Sequence, residues 1–247
     1  MSARIIVLAK VPVPGRVKTR LCPPCTPEQA ARVAAAALAD TIDAVGDAGI
    51  LVTDRPCPAP PGWATALQHG GPLPERLANA FADTRTPGTA TLLIGMDTPQ
   101  LTVEHLDAAR RLLGEPGGPD AVLGRADDGG WWALGLRDAT HAEVLRDVPT
   151  STGTTGRRTY EALRQRGLRV AELPRLRDVD TAADALAVAA LCPPGRRFPA
   201  VVAAEVPVPA TRATVVESPA VVARASVTEV QAATRASVAE VPAVGAR

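Results

Sequence analysis

Residues 4–191 alternate short apolar runs with longer stretches of helical spacing, and this alternation leaves few folds open. The runs are Arg4–Lys10 (RIIVLAK), Ile50–Thr53, Thr91–Gly95 (TLLIG), Ala121–Gly124, Trp131–Leu136 (WWALGL) and Leu168–Leu173. Runs of this length that are apolar on both faces read as buried strands. Between them, Thr26-Pro27-Glu28-Gln29 carries a helix start: Thr as N-cap, Pro in the first turn and Gln three residues on. That helix is expected to reach about Val45, where Gly46 and Gly49 end it. Further helices are expected over Pro74–Thr84, Val103–Leu113, Thr155–Arg166 and Thr181–Leu191, with a Pro-rich loop over Arg55–Gly62. Strands joined by helical crossovers predict a three-layer α/β/α domain around a mostly parallel mixed sheet, over residues 1–195.

Residues 196–247 differ in character. From residue 200 onward there is no aromatic residue and no Leu, Ile or Met. Three similar pieces recur, at Arg212–Glu217, Arg224–Glu229 and Arg235–Glu240. Ala, Val and Pro at this density supply too little side-chain volume for a core, so 196–247 is expected to be a disordered tail.

The charge balance is 27 Lys+Arg against 26 Asp+Glu, a net of +1, which removes any chain-wide attraction for polyanions. No nucleic-acid partner is expected. No stretch approaches the ~18 apolar residues of a membrane span. Ile5–Ala9 is shorter than the ~7–15-residue core of a secretion signal, so a cytoplasmic protein is expected. In that compartment Cys22, Cys25, Cys57 and Cys192 are expected as free thiols. Cys22-Pro-Pro-Cys25 has metal or redox spacing, but no second Cys pair or His pair completes a zinc site.

Near neutrality hides a polarised layout. The chain has two lysines, Lys10 and Lys18, and both lie in the loop after the first strand with Gly15, Arg16, Thr19 and Arg20. Five cations precede the first acid, Glu28. In open α/β sheets, ligands bind outside the carboxyl ends of the strands. A cationic Gly/Pro loop there suits phosphate, although it is not a P-loop. Asp97 directly follows an apolar strand at the same edge, where carboxylate oxygens suit Mg²⁺, or cap a helix. In Asp127-Asp128-Gly129-Gly130-Trp131-Trp132 the adjacent carboxylates need solvent or a cation, and the glycines permit close backbone approach or a hairpin turn. The two tryptophans face opposite sides of a strand: one joins the core and the other is free to stack on a sugar or base. Asp178 and Asp180 share one side by strand alternation. Asp180 either caps the next helix or completes a metal site with Asp97. His69, His105 and His141 form no catalytic or metal-spaced set.

Taken in order, these pieces resemble a bacterial family of nucleotide-diphospho-sugar-transferase-like proteins with the glycosyltransferase-A fold, including arsenosugar-biosynthesis glycosyltransferases. The resemblance covers about residues 4–190. Its carriers are Ala9–Leu21, Gln68 with Glu75-Arg76-Leu77 and Ala80-Phe81, Ile94–Pro99, Leu123-Gly124 with Asp128–Trp132, Ser151-Thr152 and Asp178–Thr181. It implies a metal-dependent glycosyltransferase with a nucleotide-diphospho-sugar donor and a small-molecule acceptor. Lys10, Gly15, Arg16, Lys18, Thr19 and Arg20 would hold nucleotide and phosphates. Asp97 and Asp180 would bind Mg²⁺ or Mn²⁺, and Asp97 and Asp128 would be catalytic. Gly129, Gly130, Trp131, Ser151 and Thr152 would line the sugar or acceptor side, with Thr150 where the family carries a bulkier residue. The same pieces are similar to cofactor guanylyltransferases, which transfer a nucleotidyl group from a nucleoside triphosphate. A nucleotide-binding regulatory protein without catalysis is the reading of another class.

Overall fold

Seven strands form a single sheet in a computed structural model that describes residues 3–207. The strands are β1 (Arg4–Ala9), β2 (Ile50–Thr53), β3 (Ala64–Leu67), β4 (Thr91–Gly95), β5 (Ala121–Ala126), β6 (Trp131–Leu136) and β7 (Val170–Leu176). Their order is β3-β2-β1-β4-β6-β5-β7. Every pairing is parallel except the two made by β6, so the sheet is mixed and mostly parallel, as expected. The helices are α1 (Pro27–Val45), α2 (Leu73–Thr84), α3 (Val103–Gly114), α4 (Thr155–Gln165), α5 (Ala182–Ala189) and α6 (Arg197–Glu205).

The local signals act as their chemistry dictates. Thr26 Oγ1 accepts the Gln29 N–H at 3.3 Å, and Gln29 Oε1 accepts the Thr26 N–H at 2.8 Å, a reciprocal cap that starts α1. Alternation along β6 sends Trp132 to one face of the sheet, where it is 2% exposed, and the half-buried Trp131 to the other. Gly124 is required beside Trp132: a Cβ there would meet the indole at 2.4 Å. One face of the sheet packs on α1 and α3 through Ile5, Val7, Leu92, Ile94, Leu38 and Leu106. The other packs on α2, α4 and a 3₁₀ stretch, Ala139–Asp147, through Ile6, Leu93, Leu134, Phe81 and Leu163.

Two features depart from the sequence reading. Strand β3 was not expected: Ala-Thr-Ala-Leu is mostly exposed at the sheet edge and carries no apolar run. The second is a correction at the domain boundary. The segment 196–206, expected as the start of the tail, folds onto α1 as α6. Phe198, Val202 and Val206, spaced four apart, are all buried against α1 and α5. The buried Asp40 of α1 fixes the start of α6. Its carboxylate accepts the Arg197 N–H at 3.0 Å and the Phe198 N–H at 2.8 Å. At the other end, Arg32 and Glu205 form a two-point pair. The Cys22–Cys25 loop closes the same cluster, and all four cysteines are free thiols. The three repeated pieces lie outside the described residues. No helix among the described residues is long and apolar enough to cross a membrane.

Asp40→Ala would leave two buried N–H donors of α6 without acceptors. It is expected to lower folding stability by about 2–4 kcal/mol, read as a lower urea midpoint at unchanged slope. An unchanged midpoint would contradict the assignment of Asp40 as the anchor of α6.

Candidate active site

The strand order sets where a ligand can bind. From β1 the chain adds β2 and β3 on one side and then returns to place β4 on the other. The loops that leave the carboxyl ends of β1 and β4 therefore part, and open a crevice at the topological switch point. Strands β5 and β7 run in the same sense as β4, so the residues after them reach the same edge. That one edge thus collects Lys10–Arg20, Asp97, Asp128, Asp178 and Asp180. A cavity of about 720 Å³ opens there and runs back over Leu8 and Leu93 toward α2.

Lys18 is the link among these loops. Its side chain is 8% exposed, and its Nζ lies 2.9 Å from Asp97 Oδ1 and 3.5 Å from Asp180 Oδ1. The ammonium also donates to the Val179 carbonyl. The Lys18 backbone is left-handed, at φ 48°, and begins a 3₁₀ turn over Thr19–Leu21. A left-handed lysine costs about 1–2 kcal/mol, which the buried ion pairs offset. Burial alone would lower its pKa, but the carboxylates of Asp97, Asp180 and Asp178 outweigh burial, and the net shift is upward. Arg20 Nη1 pairs with Asp180 Oδ2 at 2.8 Å. The Val179 N–H donates to the Asp97 carbonyl at 2.9 Å, so backbone as well as charge joins the β4 and β7 loops.

Beside Lys18, carboxylate oxygens of Asp128, Asp178 and Asp180 all lie within 4.8 Å of one another. Burial first, and then the neighbouring Asp128 and Asp180, push Asp178 up to about 6, with Lys18 pulling the other way. Three acidic side chains held this close, one of them reluctant to ionise, are short of positive charge. Hard carboxylate oxygens fit Mg²⁺ or Mn²⁺, and the residues present suit such an ion.

The expected site residues divide into two groups. Lys10, Lys18, Thr19, Arg20, Asp97, Asp128, Gly130, Trp131, Ser151, Thr152 and Asp180 line the cavity. Gly15, Arg16 and Gly129 do not. Gly15 and Arg16 form an exposed turn, closed by the Arg16 N–H on Val13 O at 3.0 Å. Gly129 is needed for loop packing: at φ 89° its Cβ would lie 2.1 Å from Gly153 O. For Gly129 the close approach is thus one to the protein's own Gly153, while Gly130 lines the cavity. The expected metal pair, Asp97 with Asp180, is arranged differently. Asp97 faces the Lys18 ammonium, and Asp180 joins Asp178 and Asp128. Lys18, expected on phosphate, has its ammonium surrounded by protein oxygens. Among the other lining residues are Gln68 and Arg76, which the resemblance includes but to which it assigns no site role, because their meaning depends on how α2 packs against β1.

The Asp178 shift has a definite sign. Above pH 6 the folded state holds a carboxylate it would rather keep protonated, so this group lowers stability as pH rises from about 4 to about 6. With ions chelated, Asp178→Asn is expected to be more stable than the parent at pH 8, by about 1–2 kcal/mol after solvent screening, and equal to it below pH 4. Urea denaturation at the two pH values reads this directly; a less stable variant at pH 8 would contradict the charge-crowding account.

Residues 28–152 match the family described as "Uncharacterized protein conserved in bacteria (DUF2064)". No curated protein matches the chain. Among solved structures, a candidate nucleotide-diphospho-sugar transferase from Desulfovibrio desulfuricans G20 is similar at a TM-score of 0.73 and 25% identity, covering 83% of this chain and 95% of that one. Rv0371c from Mycobacterium tuberculosis H37Rv is similar at a TM-score of 0.46 and 22% identity, covering 74% and 96%. The CTP complex of a CMP:2-keto-3-deoxy-manno-octonic acid synthetase is similar at a TM-score of 0.46 and 9% identity, covering 74% and 95%. With half of its length matched by the family, and the α/β fold described above, the chain belongs to DUF2064.

Proposed function

We propose that this protein is a divalent-metal-dependent transferase that uses a nucleotide-diphospho-sugar donor and passes the sugar to a small-molecule acceptor. The observation that carries the reading is the meeting of a cationic loop and an acidic cluster at one sheet edge, inside one cavity. The likeness to the Desulfovibrio transferase supports the donor class.

In this reading each residue has a task its surroundings allow. Lys10 and Arg20 are exposed cations that line the cavity, Arg20 beside Asp180, and bind the donor diphosphate. Lys18 is a positioning residue. It holds the carboxylates of Asp97 and Asp180 in place, so the cluster is preorganised before substrate arrives. Asp128, Asp178 and Asp180 would hold the ion. A bound Mg²⁺ or Mn²⁺ supplies positive charge against the diphosphate as the bond to it breaks. Asp128 Oδ1 accepts the Gly130 N–H at 2.6 Å, which fixes the carboxylate. Trp131, half-buried on the cavity wall, offers a ring face for the sugar.

Titration calorimetry with nucleoside diphosphates tests the site. The parent is expected to bind one of them only with Mn²⁺ present. Asp180→Asn is expected to weaken that binding at least tenfold, and Lys18→Arg several-fold, because a planar fork does not fit where a compact ammonium sits. Equal binding by both variants would remove the site assignment. Product analysis tests the reaction: nucleoside diphosphate released from a sugar nucleotide supports sugar transfer. Pyrophosphate released from a nucleoside triphosphate would assign nucleotidyl transfer instead.

A further inference from the structure

The cavity lining is of two kinds. Charged side chains come from the loops at the carboxyl edge of the sheet; apolar ones, Leu8, Leu93, Leu73, Leu77 and Trp131, come from the strands and α2. Arg76, in the first turn of α2, is the ionisable side chain that this helix adds to the lining.

Arg76 is held in an unusual state for an arginine. It is half-buried, and no carboxylate pairs with it among the described residues. Its one recorded partner is Gln68 Oε1, at 3.4 Å from Nη1, a long contact. Its Nε–H is buried with no acceptor. An unpaired buried donor on a cation costs more than about 1–3 kcal/mol, so the fold gains nothing from the arrangement as it stands. Gln68 explains how the guanidinium is kept in place. Gln68 Nε2 donates to Ala9 O at 2.8 Å and Val52 O at 3.2 Å, which leaves Oε1 facing Arg76. The carboxylate that could have neutralised it, on Glu75, is committed to the Gly71 N–H at 2.8 Å.

We propose that Arg76 anchors an anionic group, a carboxylate or a phosphate, of the second substrate, whose apolar body rests on Leu73, Leu77 and Trp131. The proposal deepens the transferase reading, on which it rests for the term "second substrate". A guanidinium with free N–H donors is matched to a two-oxygen anion. The apolar lining excludes water and strengthens that pairing. The acceptor class is therefore an amphipathic acid, rather than a neutral sugar or a polyol.

Saturation-transfer NMR with small probes tests this without knowledge of the natural acceptor. Phenyl phosphate and phenylacetate present the two anion types on an apolar ring, and benzyl alcohol presents the ring alone. The parent is expected to bind one or both acids, and the neutral alcohol at least tenfold more weakly. Arg76→Gln is expected to lose at least tenfold in affinity for the acid, Arg76→Lys less, with both melting as the parent does. Inorganic pyrophosphate with Mn²⁺, which addresses the charged loops of the cavity, is expected to leave the acid bound. Displacement of the acid by pyrophosphate–Mn²⁺, or unchanged binding in folded Arg76→Gln, would overturn the proposal. If pyrophosphate–Mn²⁺ fails to bind while Arg76-dependent binding of the acid persists, the transferase reading falls and the anion site stands.

Discussion

The ion pair between the buried ammonium of Lys18 and the partly exposed carboxylate of Asp97 is the interaction on which the rest of the site depends. It joins the loop after β1 to the loop after β4 across the switch point, and through Asp180 and the Val179 carbonyl it adds the loop after β7. Without a cation at that place, Asp97, Asp128 and Asp180 on the cavity wall, with Asp178 beside them, would lack the ammonium that joins their loops. Lys18 neutralises one part of their charge, and the carboxylate oxygens of Asp128, Asp178 and Asp180 still lie within 4.8 Å of one another. The remaining deficit is what makes a divalent ion a fitting occupant.

Much of this was legible in the chain because the relevant signals are local. Six apolar runs became six of the seven strands, and Thr26 caps α1 as its spacing requires, whereas α5 is capped by Thr181 and not by Asp180, the residue expected there. The position of Asp97 followed from an apolar strand ending at Gly95, and the sharing of a side by Asp178 and Asp180 followed from period-two alternation. The concentration of both lysines before the first acid marked the loop that crosses the switch point.

What stayed hidden depended on partners far away in sequence. That Lys18 would turn inward to Asp97, 79 residues on, is a tertiary fact: a carboxylate and the phosphate it was expected to bind both offer an ammonium anionic oxygens. Gly129 is conspicuous in any reading, but its constraint comes from Gly153, and no local rule distinguishes ligand approach from loop packing. Helix α6 was missed because an Ala/Val-rich segment looks alike whether or not a buried carboxylate waits at its start. Asp40 supplies that carboxylate from α1. Arg76 is one of the residues that carry the family resemblance, but the resemblance assigns it no role. It becomes informative only when its neighbours, Gln68 and Glu75, are seen to be committed elsewhere.

The central claim is that the acidic cluster beside Lys18 holds a divalent ion at the carboxyl edge of the sheet. Anomalous diffraction at the manganese edge, from crystals grown with Mn²⁺ and a nucleoside diphosphate, tests it most directly. The account predicts an anomalous peak among Asp128, Asp178 and Asp180, with the diphosphate reaching toward Arg20. A structure with nucleotide bound and no anomalous peak at these carboxylates, or with the peak elsewhere on the chain, would contradict it.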